Sequence, residues 1–194
     1  MTVVVRILLG FIAGALAVVL FHQPTIWGLA QLGLSSGAVY QMTPNAWGVP
    51  ALASLCFWGG LWGILFVLLW DRQGWDARGS LMGLFFGLSA GLIAWGALHL
   101  AFGDIRAVAI ALVFGVIIAA FILLFGPEVL FGMLFGVMGP AMVNWVVLPL
   151  IRGQPLFSGG QAGRIAVTAL IGAMFGLGLA VLLSLLERIG ARRG

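Results

Sequence analysis

Long apolar runs, separated by short polar connections, dominate the chain. Each run is close to the length of about 20 residues that a helix needs to cross the hydrocarbon core of a bilayer. The pattern predicts about six transmembrane helices, at residues about 3–21, 50–70, 80–102, 107–125, 129–149 and 165–186. The fold class that we expect is all-α, with the whole chain forming a single polytopic transmembrane domain over residues 1–194.

The connection between the first two predicted helices is the longest and covers residues 23–49. Its prolines, glycines and serines predict turns and loop. Pro24 suits the first turn of a helix, so we expect a short helix over 24–34 that lies at the membrane interface.

The composition is that of a protein surrounded by lipid. Hydrophobic residues make up 63% of the chain and charged residues 7%, whereas a soluble domain carries about 25% charged residues. The mean hydropathy of +1.21 points the same way. The lipid bilayer is therefore the main partner that we expect.

The positive charge of the chain follows the predicted helix ends. All basic residues are arginines, scattered rather than gathered into the stripe that nucleic acid requires, so we exclude nucleic acid as a partner. The arginines fall into two sets, Arg6, Arg72, Arg78, Arg188, Arg192 and Arg193 on the side of the termini, and Arg106, Arg152 and Arg164 on the other. Because cytoplasmic loops are rich in arginine, the sequence predicts cytoplasmic termini in a bacterial inner membrane.

Glycines at a spacing of four residues recur in the predicted helices. The sets are Gly10/Gly14, Gly59/Gly63, Gly83/Gly87/Gly91, Gly132/Gly136 and Gly172/Gly176. Residues at this spacing share a helix face, and small side chains let helix backbones approach closely in lipid. We therefore predict tight helix packing; the alternative is a narrow path lined by backbone. Similarity between residues 10–22 and 87–99 suggests in addition three tandem helix hairpins.

The two histidines of the chain, His22 and His99, occupy equivalent positions in these similar segments. Both are expected near the outer membrane boundary. Two imidazoles on neighbouring helices can hold the iron of haem b from both sides, and they can also serve a metal site or a proton step. The simpler interpretation is a histidine at a helix end that bonds backbone or water.

Asn144 is the clearest polar residue inside a predicted span, and it follows Pro140, which removes a helical hydrogen bond. A kinked helix with Asn144 in a solvated cavity is one interpretation, and a hydrogen bond to a neighbouring helix is the other. Trp58 and Trp62 share one face of the second span, opposite Gly59 and Gly63. That face suits a stacked ligand or, more simply, lipid.

The sequence contains no pattern typical of an enzyme. It has no paired carboxylates inside a span, no nucleophile elbow, no phosphate-binding loop and no zinc motif. Its one cysteine, Cys56, cannot form an internal disulfide or a cysteine-based metal site. We therefore predict neither enzymatic activity nor a bound metal.

Three segments carry a resemblance. They are His22-Gln23, Trp47-Gly48-Val49-Pro50, and Phe57-Trp58-Gly59-Gly60-Leu61-Trp62-Gly63. Together they resemble a family of small proteobacterial inner-membrane proteins without an assigned activity. The resemblance covers about the first 70 residues and implies an inner-membrane location.

Three functional hypotheses follow from the sequence. The first is a small-solute transporter or channel-like protein, for which a cavity that reaches Asn144 is the expected feature. The second is a haem-binding electron carrier that uses His22 and His99. The third is an accessory subunit of a larger membrane complex, or a homo-oligomer, that packs through its apolar faces.

Overall fold

The computed structural model describes residues 2–35, 37–44, 47–73, 124–126 and 128–191. These residues form four long helices, which we number α1 (Val3–Gln31), α2 (Ala51–Gln73), α3 (Glu128–Arg152) and α4 (Ala162–Ala191). All four are long and apolar enough to cross a membrane. The all-helical class is confirmed, and the four helices coincide with the first, second, fifth and sixth predicted spans. The predicted spans at 80–102 and 107–125 lie outside the described residues, except for 124–125.

By its internal contacts the chain divides into two units, Met1–Gly74 with Met174–Gly194, and Trp75–Ala173. The first unit contains α1, α2 and the second half of α4. The second contains α3 and the first half of α4. The repeat of three helix hairpins stays a prediction, because the middle hairpin lies outside the described residues.

Helices α1 and α2 cross in antiparallel fashion where both carry glycine. A Cβ added to Gly10 would lie 2.7 Å from the carbonyl oxygen of Gly63, and one added to Gly59 would lie 2.8 Å from the carbonyl oxygen of Gly14. Any side chain larger than hydrogen would push the two backbones apart. The tight packing predicted from the glycine spacing is confirmed for this pair of helices, and it gives the close backbone contact that substitutes for a hydrophobic driving force in lipid.

Helix α1 continues through Pro24, which differs from the predicted separation into a span that ends near residue 21 and a second short helix. Residues Val18–His22 form a wide helical turn just before the proline, with the N–H of Gln23 bonded to the carbonyl of Val18. Such turns rearrange the hydrogen bonds so that a residue without an N–H fits into the helix. The helix ends only at Gln31, before Gly33 with its positive φ of 71°.

The connection from α1 to α2 folds back onto α1 through Tyr40. Its backbone N–H donates to Oε1 of Gln23 at 2.8 Å, and its hydroxyl donates to the carbonyl of Val19 at 2.9 Å. Tyr40 has a φ of 50°, a left-handed conformation that a non-glycine residue adopts only when its surroundings hold it there. The two hydrogen bonds of Tyr40 stabilise this backbone conformation.

The second half of α4 packs beside α1. The ring of Phe21 occupies the space in which a side chain on Gly178 would lie. Nearer the termini, Nε of Arg6 and Oε1 of Glu187 lie 2.7 Å apart, with both side chains about three-quarters buried. The beginning of α1 and the end of α4 therefore lie next to each other.

Helices α3 and α4 also approach through glycine, within the second unit. A Cβ on Gly172 would lie 2.6 Å from the carbonyl oxygen of Gly136 and 3.3 Å from Cβ of Ala141. The glycine spacing in the fifth and sixth predicted spans thus marks a second close helix contact. This contact lies one turn before Pro140, so it fixes the part of α3 from which Asn144 projects.

Candidate functional site

The middle of α3 departs from regular α-helix around Pro140. Two wide turns follow each other, at Val137–Ala141 and Val143–Val147. The side-chain amide of Asn144 donates to the carbonyl of Pro140 at 3.1 Å. Asn144 therefore bonds the backbone of its own helix, and a bond to a neighbouring helix stays a prediction.

Asn144 lines a polar recess between the second half of α3 and the beginning of α4. The recess has a volume of about 410 Å³, and its lining consists of Asn144, Pro149, Gln154, Pro155, Ser158, Gly159, Gln161 and Arg164. Asn144 precedes the last residue of α3 by eight positions, which corresponds to about 12 Å of helix. The recess thus extends from the helix ends well into a segment that is apolar enough to span a membrane.

The loop that forms the mouth of the recess is held in an unusual conformation. Gly153 ends α3 with a φ of 61°, and the N–H of Gln154 bonds back to the carbonyl of Pro149 at 2.8 Å. Phe157 and Ser158 then both adopt left-handed backbone angles, with φ of 49° and 55°. Each such non-glycine residue costs about 1–3 kcal/mol unless its surroundings impose it.

Contact between aromatic rings holds this strained turn in place. The ring of Phe157 lies 6.0 Å from that of Trp145 between centroids, a distance at which aromatic pairs attract each other. Trp145 is buried, and it follows Asn144 directly in α3. This ring contact therefore joins α3 to the loop beside the recess. The turn places Ser158 and Gly159 in the lining of the recess.

The polar lining of the recess is rich in hydrogen-bonding groups and has one charge. It offers the amides of Asn144, Gln154 and Gln161, the hydroxyl of Ser158 and the guanidinium of Arg164. The described residues of the lining include no carboxylate. Arg164 forms no ion pair within the described part of the chain.

Of the described residues that were predicted for a site, Asn144 lines the recess and His22, Trp58 and Trp62 do not. Gln154, Ser158, Gln161 and Arg164 were predicted only as parts of a loop. Sequence alone shows that loop to be polar, but the left-handed turn that folds it against α3 has no clear sequence signal, since it places Phe157 and Ser158 where glycine is usual.

His22 lies inside α1, in the wide turn before Pro24 rather than at a helix end. Its Nδ1 lies 3.4 Å from Nε2 of Gln23. His99 lies outside the described residues, so the haem site that pairs it with His22 stays a prediction. Among the residues that the structure describes, no group of three or more histidine, cysteine, aspartate or glutamate side chains could hold a metal ion.

Trp58 and Trp62 stand on α2, away from its glycine face. Trp58 is 58% exposed and packs edge to face against Phe57, with ring centroids 6.0 Å apart. The glycines on the other face form the contact with α1. The predicted division of α2 into a bulky face and a bare face is thus present, and neither tryptophan lines the recess.

The described lining of the recess offers several groups that can bind a solute by hydrogen bonds. No family model, no curated protein and no solved structure matches this chain. Amides, a hydroxyl and a guanidinium around a volume of this size suit a small polar solute.

Proposed function

We propose that this protein is a small-solute transporter or channel-like protein of the bacterial inner membrane, with the recess beside Asn144 on its solute path. The four apolar helices are compatible with an integral membrane protein. The observation that carries the proposal is the cavity of about 410 Å³ that reaches Asn144 inside α3. A recess that brings polar side chains to this depth is the feature expected of a solute path.

The energetics of Asn144 support this proposal. A polar side chain in a membrane-spanning helix is costly unless its hydrogen-bonding groups have partners. One N–H of the Asn144 amide bonds the Pro140 carbonyl, which leaves the other N–H and the carbonyl oxygen for groups in the recess. Water or a polar solute supplies those partners.

The arginine distribution gives the proposed orientation. Arg164 lines the recess and Arg152 ends α3 in the sequence just before the loop, whereas Arg6 and Arg188 belong to the opposite helix ends. With the arginine-richer side in the cytoplasm, the recess opens to the outer face. A solute would then enter α3 from outside and meet Asn144 about 12 Å along the helix.

Flux through liposomes tests the proposal. The purified protein is reconstituted, and uptake of urea, glycerol and small anions is followed by stopped-flow light scattering. We expect permeability above that of protein-free liposomes for at least one solute. Asn144→Leu should reduce this flux about tenfold, which corresponds to roughly 1.4 kcal/mol of lost solute stabilisation.

Thr168→Val is the matched control variant, because it also removes a polar group from a helix of the second unit. Its hydroxyl bonds the carbonyl of Arg164 in its own helix, and it does not line the recess. The control should transport like the wild type. Permeability equal to that of empty liposomes for every solute would contradict the proposal, and a Soret band in the purified protein would favour haem binding instead.

A further inference from the structure

The lining of the recess selects for negative charge. Among the described residues of the lining, Arg164 is the ionised side chain, and the amides and the hydroxyl can all donate hydrogen bonds. We infer that the recess binds a phosphate-type oxyanion through the guanidinium of Arg164 and the amides of Gln154 and Gln161. The inference rests on the proposed function, for which it names the substrate class.

The donor geometry of these residue types suits an oxyanion. A guanidinium presents parallel N–H groups that bond two oxygens of one phosphate at once. Gln154 leaves α3 just after its last residue, and Gln161 immediately precedes α4. The two amides therefore belong to the two ends of the loop that joins α3 to α4, and the strained turn in the middle of that loop adds the hydroxyl of Ser158 to the lining.

Of the two glutamates that the structure describes, neither lies near Arg164. Glu187 is paired with Arg6 at the opposite end of α4, and Glu128 lies at the opposite end of α3. A guanidinium at a site that adjoins apolar helix attracts an anion. That anion is either a free oxyanion or the phosphate of a lipid headgroup.

Phosphorus NMR of inorganic phosphate with the purified protein in an uncharged detergent tests the inference. We expect saturable broadening of the phosphate resonance at constant ionic strength. Arg164→Gln should weaken phosphate binding about tenfold or more, because it removes a charge-assisted hydrogen bond. Arg152→Gln is the matched control, since it removes the same charge from the end of α3 but does not line the recess; its dissociation constant should change less than about twofold.

Competition by two lipids identifies the source of the oxyanion. Displacement of phosphate by phosphatidylglycerol, but not by phosphatidylcholine, would identify a lipid headgroup as the occupant. Phosphate binding that withstands both lipids would identify a free oxyanion. Either result supports the oxyanion site.

Failure of the inference can be told apart from failure of the proposed function. Absence of saturable phosphate and phosphatidylglycerol binding, or equal losses in Arg164→Gln and Arg152→Gln, overturns the inference. Flux of a neutral solute that depends on Asn144 would then leave the proposed function intact. Conversely, phosphate binding that depends on Arg164, without flux of any solute, supports the site and overturns transport.

Discussion

Helices α1 and α3 each carry a proline in their apolar interior, and they accommodate it in different ways. In α1, Pro24 follows one wide turn; in α3, Pro140 lies within the first of two. Wide turns are a known way for a helix to pass a residue that cannot donate its N–H. The difference lies in the side chains that bond the backbone carbonyls nearby.

In α1 the bonding side chain comes from a distant part of the chain. With the N–H of Gln23 bonded to Val18, the next donor along the wide turn would be residue 24, which is proline and has none. The carbonyl of Val19 instead accepts from the hydroxyl of Tyr40, the one tyrosine of the protein. The proline thus creates an acceptor that anchors the connection.

In α3 the bonding side chain belongs to the same helix. Asn144 bonds the carbonyl of Pro140, four residues before it, so no loop is needed and the rest of its amide stays open to the recess. Gln23 in α1 is 3% exposed, whereas Asn144 is exposed. The comparison teaches that a proline in an apolar helix can anchor a loop when the loop supplies the missing donor, and leaves a polar group open to a recess when the helix satisfies its own carbonyl.

The largest effect that we expect comes from breaking the contact between α1 and α2 at Gly14, which lies one turn before the wide turn that precedes Pro24. Gly14→Ala places a methyl group against the backbone carbonyl of Gly59, and forcing the two backbones apart should cost about 3 kcal/mol, the upper range for overpacking. Denaturant titration of the detergent-solubilised protein measures this loss. Gly28→Ala is the control, because nothing lies within 4 Å of the added methyl; it should be neutral or slightly stabilising. Equal stability of the two variants would show that α1 and α2 do not cross at glycine.

The second-largest effect comes from replacing an amide side chain by leucine, once at Gln23 near Pro24 and once at Asn144 near Pro140. Gln23→Leu removes a buried amide that bonds both the Tyr40 N–H and the His22 ring, and it should lower the free energy of unfolding by about 2 kcal/mol, because each hydrogen bond contributes about 1 kcal/mol. Asn144→Leu should lower it by less than about 1 kcal/mol, because its hydrogen bond is local and its side chain exposed. A larger loss for Asn144→Leu than for Gln23→Leu would reverse the roles assigned to the two prolines.

The four described helices and the contacts at their glycines were predictable from sequence, because lipid imposes a simple rule on each. Span length follows from bilayer thickness, and paired glycines such as Gly59 and Gly63 are required wherever backbones meet. The path of α1 through Pro24 was not predictable, since proline at that position fits the start of a new helix as well as a wide turn. Asn144 was found because an amide inside an apolar run stands out.

The remainder of the recess depends on loop geometry. Gln154, Gln161 and Arg164 are polar residues in a polar loop, and sequence gives no reason to separate them from solvent-facing neighbours such as Arg152. They line the recess because Phe157 and Ser158 adopt left-handed angles, a conformation imposed by tertiary contact and not by local propensity.

A smaller effect tests whether Pro24 is the reason for the Tyr40 anchor. Tyr40→Phe should destabilise the protein by about 1 kcal/mol, the value of one hydrogen bond in a membrane protein. In a Pro24→Ala background, the N–H of residue 24 can serve the Val19 carbonyl, so Tyr40→Phe should then cost less than half as much. The double-mutant cycle measures this coupling. Strict additivity of the two substitutions would mean that the proline and the tyrosine hydroxyl are unrelated.

The smallest effect is expected at Trp145 in α3, where a buried polar group is less well hydrogen-bonded than Gln23 beside Pro24. The indole N–H of Trp145 is buried and has no hydrogen-bond partner among the described residues, whereas both bonding groups of buried Gln23 are engaged. Trp145→Phe relieves an unpaired donor worth about 1–3 kcal/mol but loses packing of similar size. The two terms oppose each other, so unfolding should shift by less than about 0.5 kcal/mol.

Trp145→Ala provides the contrast, because it also removes the ring that packs against Phe157; it should cost about 3 kcal/mol or more. It should also release the left-handed turn, which places Ser158 in the recess wall. Trp145→Ala should therefore weaken both stability and solute flux, whereas Trp145→Phe should leave both near wild type. A loss of about 2 kcal/mol in Trp145→Phe would indicate that the indole N–H has an acceptor in the folded protein, and the two proline regions would then be equally well satisfied.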